Sequence, residues 1–262
     1  MAETMLHTNC TLISSAAGPE GYLDLLIRQP EICRTSRPGQ FVMLRGWPGS
    51  DPVLPRPFDI VDTYPDQEAF RLIVKIEGRG TELLSRLNPG AELQVTGPLG
   101  QPLEDFACSS LALLVRGAGA AAVVLLAREA MRRGVEVITY LSARTADRLV
   151  ALSYLKAVSA TLEVATDDGS AGYHGSALDL LDRRLAKKPP ERIYSCGARR
   201  FARRVQELDR EGRVEGFVFL EGLMACGMGN CHGCAVKKDG EPGYFLVCRD
   251  GPVFRAAQVV IS

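Results

Sequence analysis

The chain carries no excess of charge: 31 Lys and Arg balance 31 Asp and Glu over 262 residues. Without a sustained positive field, nucleic acid and acidic membrane surfaces are not its expected partners. No run of 18 or more apolar residues occurs, which excludes a membrane-spanning helix. The first ten residues, MAETMLHTNC, lack a basic stretch followed by an apolar one, so no secretory signal is expected and the expected location is cytoplasmic. Internal repeats and low-complexity segments are also missing. What remains is ordinary globular composition, 46% hydrophobic and 24% charged, at a length that argues for two domains and a small appendage.

Up to about residue 105, short apolar runs (CTLI, YLDLLI, QFVML, AFRLIVKIE, ELQVT) alternate with Gly- and Pro-rich breaks such as RPGQ, WPGSDP and GPLGQP. That spacing predicts an antiparallel barrel or sandwich. After Leu111 the rhythm changes: strand-like LALLV, VEVITYL, ATLEVAT, RIYSC and GFVFL are separated by helix-like runs. This is the pattern of a doubly wound parallel sheet. From Glu221 the remainder is rich in Gly and Cys and has little periodicity. The expected fold is therefore an N-terminal antiparallel β-barrel (1–104), an α/β domain (105–220) and a small Cys-rich module (221–262).

Eight cysteines are many for a chain expected in a reducing compartment, where stable disulfides are disfavoured. Four are scattered; Cys226, Cys231, Cys234 and Cys248 fall in one stretch with the spacing C-x4-C-x2-C-x13-C. That is the plant-type [2Fe–2S] spacing, in which one loop brings three thiolates and the fourth arrives from another segment. Gly227, Gly229 and Gly233 interleave the ligands, so the backbone can bend tightly and aim N–H groups at sulfur. A structural zinc site is the competing reading, but zinc sites usually pair two short Cys hooks. His232 lies inside the loop; four cysteines already suffice as ligands, so it is read as solvent-exposed.

Two weaker motifs lie in the β domain. Arg56-Pro57-Phe58-Asp59-Ile60 follows a Pro-rich turn, and Gly78-Arg79-Gly80-Thr81 follows the strand AFRLIVKIE. Thr81 is placed as the cap of a short helix TELLSRL, whose N-terminal N–H groups suit a diphosphate, and Gly80 would permit close approach to it. An Arg-Pro turn and a Gly bend can equally be structural.

Together, RPFDI, KIEGRGTELL, VTGPLG, TDDGSAGYHGSALDLL, YSCGARRF, MACGMGNCHGCAVK and VCRDGPVF resemble the electron transfer subunits of B-type dihydroorotate dehydrogenases, a branch of the ferredoxin–NADP⁺ reductase-like family. The resemblance spans almost the whole chain. It implies FAD, with Arg56 on its phosphate, Pro57, Phe58 and Asp59 along the flavin, Ile73, Val74 and Lys75 on the flavin and ribityl strand, and Gly80 and Thr81 at the diphosphate. It implies a [2Fe–2S] cluster on the four cysteines, exchange of electrons with NAD(H), and a separate dihydroorotate dehydrogenase catalytic flavoprotein in a heterotetramer serving pyrimidine biosynthesis. Asp59 stands where the family has Ser.

The nicotinamide site departs further. Where the family has a Gly-Gly-Gly-x-Gly turn before x-Ala-Pro, this chain reads Val115-Arg116-Gly117-Ala118-Gly119-Ala120-Ala121-Ala122, and the family's Cys-Gly-Pro is Cys196-Gly197-Ala198. Gly117, Gly119, Cys196 and Gly197 are the nucleotide-binding candidates. Two readings stay open. Arg116 grips a phosphate and preserves NAD(H) binding in altered form, or Val115 and Arg116 obstruct the turn and electrons pass between proteins alone, as in a paralogue serving a hydrogenase or sulfur reductase. A zinc-bearing scaffold without enzymatic function is the alternative of another class. Cys196 is either at the hydride-transfer site or a small apolar filler. His174 reads as a loop residue. Arg199, Arg200, Arg203 and Arg204 form either a solvated helix face or a phosphate clamp or docking patch.

Overall fold

The architecture is that of a computed structural model describing residues 6–261. The first half forms one antiparallel sheet from β1 (Leu6–Ala17), β2 (Tyr22–Arg28), β3 (Phe41–Arg45), β4 (Arg56–Asp59), β5 (Asp62–Tyr64), β6 (Ala69–Lys75) and β7 (Glu92–Leu99). The strand order is β4-β3-β7-β1-β2-β6-β5, and β4 returns to touch β6, so the sheet curls into a barrel-like shell. Alternation does the sorting. On β6, Phe70, Leu72 and Val74 are fully buried, while Ile73 and Lys75 turn outward. Two short helices, α1 (Pro30–Thr35) and α2 (Arg79–Leu84), close the ends. RPFD, expected as a turn, is instead strand β4: its prolines precede it or sit on the outermost strand, where a missing N–H costs no ladder bond.

The second sheet has the order β11-β10-β9-β8-β12-β13-β16. Its parallel core comprises β8 (Ser110–Arg116), β9 (Glu136–Ala143), β10 (Thr161–Thr166), β11 (Tyr173–His174), β12 (Arg192–Cys196) and β13 (Glu215–Phe219). Between them run α3 (Gly119–Ala122), α4 (Val124–Arg132), α5 (Leu152–Ala157), α6 (Ala177–Lys187) and α7 (Arg199–Arg210). The run expected as one helix, AAAVVLLAREAMRR, is broken at Val123 into α3 and α4. Both faces of the sheet are buried, which is why its strands read as unbroken apolar runs. Leu111, Leu113 and Val115 pack in one core with α4, and Ala112 and Leu114 in the other with α6 and α7. Strand order reverses between β8 and β12, the position where such sheets open a ligand crevice at their strand ends.

The Cys-rich remainder forms the hairpin β14 (Ala235–Lys237) and β15 (Tyr244–Leu246), then α8 (Val247–Asp250) and β16 (Val253–Arg255). Its lack of periodicity gave no sign of β16, which pairs antiparallel with β13 and extends the parallel sheet. Buried Asp209 of α7 holds it there, accepting from Gly216 N (3.1 Å), Arg255 Nε (2.7 Å) and Ala257 N (2.9 Å). Phe254 and Val259 join the core of α6 and α7. Among the described residues, no helix is long and apolar enough to cross a membrane. Asp209→Ala strands two N–H groups and a guanidinium at once, so it is expected to cost about 3 kcal/mol or more. Urea denaturation checks this, and an unchanged midpoint would remove Asp209 as the anchor.

Candidate functional site

A cavity of about 1210 Å³ lies where the barrel, the strand ends of the parallel sheet and the C-terminal segment meet. It exceeds the usual volume for one small ligand, which suits a dinucleotide or two ligands side by side. Arg56, Pro57, Phe58 and Asp59 of β4 form one wall, with Ile73 and Lys75 of β6 and Thr81 of α2. The opposite wall holds Gly117, Gly119, Cys196 and Gly197. Most residues singled out from the sequence are thus brought together around one space.

Val74 is an exception. The pleat of β6 sends its side chain into the barrel core, away from the cavity, leaving Ile73 and Lys75 on the cavity side. Gly80 differs too: it lies under Arg56 and Trp47, where a Cβ would come within 3.1 Å of both side chains. Its absence of a side chain lets the Arg56 guanidinium settle over Trp47, 5.8 Å from the ring centroid, and donate to Leu54 O. Thr81 is not the helix cap. Gly78 occupies that position, and Thr81, three residues on, reaches back so that its Oγ1 accepts from Gly78 N (3.2 Å) and Glu77 N (3.0 Å). That leaves Thr81 fixed at the cavity edge.

Gly119 and Gly197 interlock the two loops at the reversal of strand order. A Cβ on Gly119 would fall 2.5 Å from the Cys196 carbonyl carbon, and one on Gly197, at φ +89°, would fall 1.9 Å from Arg116 O. Both glycines therefore serve loop packing as well as lining the cavity. Val115 is buried under α4 and does not reach the turn. The Arg116 side chain is drawn across β9 to the end of β10, donating to Ser142 Oγ (2.7 Å) and to both oxygens of Asp167 (3.1 and 2.5 Å). Neither side chain fills the turn, so of the two readings left open by the sequence the obstructed turn is not the one these side chains adopt.

At the inner end, burial and then the charge of Glu221 push Asp59 up to about 7. Cys196 is buried at the cavity wall, and burial, then Asp59 and Glu221, hold its thiol well above the usual range. A thiol so protonated is a poor nucleophile. Glu221, Phe219 and Tyr22 also line the cavity. Sequence reasoning missed them because they sit at element ends with no motif around them. Exposed His174 packs its ring on Gly169 and stands outside the cavity.

The four C-terminal cysteines sort into two pairs. Cys234 Sγ and Cys248 Sγ, both buried, lie 3.2 Å apart, and the Cys231 thiol donates a hydrogen bond to the Cys226 sulfur. Gly229 N donates to Cys248 Sγ (3.1 Å), Cys248 N to Cys234 Sγ (3.5 Å) and Gly233 N to Cys231 Sγ (3.5 Å). Burial raises the Cys226 thiol, but N–H groups of Met228, Cys231 and Asn230 and the Cys231 thiol outweigh it and bring it down to about 6. Burial and Cys234 push Cys248 up to about 12. Among the described residues, no three or more His, Cys, Asp or Glu gather around one point as a single ion requires. Two thiol pairs within a cradle of N–H donors fit a binuclear iron–sulfur cluster, one pair to each iron. His232 is exposed, at φ +58°. The loop sits on the barrel: a Cβ on Gly227, at φ +72°, would strike Met43 at 2.6 Å and Leu99 at 3.0 Å.

Residues 221–260 match the model of the iron–sulfur cluster binding domain of dihydroorotate dehydrogenase B. The chain is 35% identical over 237 residues to the dihydroorotate dehydrogenase B (NAD(+)) electron transfer subunit of Desulforamulus reducens, covering 88% of this chain and 89% of that one. It is 37% identical over 229 residues to the subunit of the same name from Bacillus caldolyticus, covering 86% and 87%. Among solved structures, a chain of the NADH-dependent reduced ferredoxin–NADP oxidoreductase superposes with a TM-score of 0.86 at 30% identity, over 99% of this chain and 91% of that one. Phthalate dioxygenase reductase shares the fold at a TM-score of 0.63 and 14% identity, over 89% and 87%.

The Asp59 environment has a measurable consequence. Its carboxyl is raised from 3.8 to about 7 in the fold, so between those values the unfolded chain has lost a proton that the folded one keeps, and stability falls as pH rises. In cofactor-free protein, Asp59→Asn should flatten this slope, gaining on the order of 2 kcal/mol relative to the parent at pH 8 but not at pH 4. Thermal melts across this range check it; parallel profiles would contradict the assignment.

Proposed function

Since the chain belongs to the family of dihydroorotate dehydrogenase B electron transfer subunits, we propose that it relays electrons between a pyridine nucleotide and a dihydroorotate dehydrogenase catalytic subunit through FAD and a [2Fe–2S] cluster, in pyrimidine biosynthesis. The observation that carries this reading is the seating of the cysteine loop on the barrel, with Gly227 against Met43 and Leu99 and with Glu221, Gly222 and Met224 in the wall of the cavity. A cluster held there adjoins the flavin site directly. When bound, a flavin takes electrons in pairs as hydride and gives them up singly, which matches a one-electron cluster to a two-electron nucleotide.

The chain's own residues divide this work. Residues 1–104 hold FAD, with the Arg56 guanidinium, preset by Trp47 and Leu54 O, on a phosphate. Thr81 and the start of α2 face the diphosphate, and Pro57, Phe58, Asp59, Ile73 and Lys75 flank the flavin. Residues 105–220 receive the nucleotide at Gly117, Gly119 and Gly197. Residues 221–262 hold the cluster through Cys226 and Cys231 on one iron and Cys234 and Cys248 on the other. A heterotetramer with two catalytic subunits completes the enzyme. Eight free cysteines suit a cytoplasmic location, where thiols stay reduced. No observation favours a zinc scaffold or a partner of hydrogenase or sulfur-reductase type.

Cys231→Ser is expected to lose cluster iron while keeping FAD, and to abolish flavin reduction by dihydroorotate when mixed with the catalytic subunit. Cys108→Ser, outside the quartet, should change neither. Iron analysis, absorbance spectra and anaerobic mixing check this; a Cys231 variant with full iron content would remove it as a ligand.

A further inference from the structure

Five arginines gather at the outer end of the cavity, along the carboxyl ends of the parallel strands. Arg116 ends β8, Arg144 and Arg148 follow β9, and Arg199 and Arg200 begin α7. Arg116, Arg144, Arg148 and Arg199 line the cavity itself, so this is an inner surface and not merely the solvated back of a helix. In doubly wound sheets a carboxylate near a strand end accepts the adenosine ribose 2′-hydroxyl and thereby opposes a 2′-phosphate, whereas an arginine there accommodates one.

The carboxylates near these strand ends are all engaged. Asp147, between Arg144 and Arg148, accepts from Thr145 Oγ1 within its own loop, and Asp167, Asp168 and Glu20 each have partners as well. Asp167 gives both oxygens to Arg116 and has Arg200 at 3.8 Å from Oδ1. Asp168 turns back on its own loop, accepting from Ser170 N (3.0 Å) and Ser170 Oγ (2.6 Å). Arg148 is paired with Glu20 at 2.6 Å. Among the described residues neither Arg144 nor Arg199 has a carboxylate within 4 Å, although, beside the hydrogen bond and charge of Arg116 and the charge of Arg200, Arg144 adds its own in holding Asp167 below the usual carboxylate range; both line the cavity and are exposed. The surplus at this end is therefore positive, and the residue that neutralises Asp167 is the arginine standing where the related turn has glycine.

We propose that this end of the cavity selects dinucleotides carrying a 2′-phosphate, so that the chain prefers NADP(H) to NAD(H). Arg144 and Arg199 bind the 2′-phosphate, and Arg116 keeps Asp167 from opposing it. The proposal rests on the reading of this cavity end as the nucleotide site and makes it specific.

The test is calorimetric titration of the full chain, loaded with FAD and cluster, with 2′,5′-ADP and with 5′-AMP, which differ only by the 2′-phosphate. The expected result is at least ~10-fold tighter binding of 2′,5′-ADP, with the advantage shrinking as salt is raised. Arg144→Leu/Arg199→Leu should erase the advantage with 5′-AMP binding kept. Arg116→Gly should weaken 2′,5′-ADP and leave 5′-AMP equal or tighter. FAD content reports that each variant is folded. Equal or tighter binding of 5′-AMP by the parent, or no binding of either probe, overturns the proposal. Because binding is read without electron transfer, a preference for 5′-AMP in a protein that still exchanges electrons with its catalytic subunit would sink the specificity and leave the relay standing. Tight 2′,5′-ADP binding in a protein that cannot exchange them would do the reverse.

Discussion

The cysteine loop has no core of its own, and the arrangement of the whole site follows from where it borrows one. A segment of some forty residues with little apolar periodicity buries too little surface to fold alone. Here Cys234, Leu246, Val247, Cys248 and Phe254 enter the same core as Met43 and Leu99 of the barrel and Phe201, Val205 and Leu208 of α7. The polar contacts of Asp209 fix the angle at which β16 joins the parallel sheet. Seated this way, the loop brings Cys234 and Cys248 into the core shared with the barrel and Gly227 against Met43, and the residues leading into it, Glu221 and Gly222, complete the cavity wall. Folding and adjacency of the redox sites are one constraint: what buries the module also places it.

The same economy appears where the strand order reverses. Gly119 and Gly197 are required first by the approach of two backbones, and only then are they free to face a ligand. A turn held by that contact can tolerate the loss of neighbouring glycines, since Val115 turns into the core and Arg116 is pulled sideways to Asp167. Substitution in a glycine-rich turn thus does not by itself close the site. It changes the charge presented at its outer end.

Much of this was legible in the sequence because the signals were local. The four-cysteine spacing, the unbroken apolar runs of a sheet buried on both faces, and the alternation of β6 each carry their own physical cause. The illegible parts depend on distant partners. RPFD reads as a turn until β3 is there to pair with it, and β16 is a strand only because β13 offers an edge. Thr81 looks like a cap from its neighbours alone, yet Gly78 caps and Thr81 braces from within. Val74 sits inside a matching motif but on the wrong side of the pleat. The arginines after β9 and at the start of α7 gain meaning only when the fold turns them toward one cavity.

The central claim is that one chain holds a two-electron and a one-electron centre side by side. Anaerobic titration of the purified protein with dithionite, followed by absorbance and electron paramagnetic resonance, tests it most directly. The account predicts an uptake of about three electrons per chain, two at the flavin and one at the cluster. Uptake of about two electrons with no paramagnetic cluster signal would contradict it.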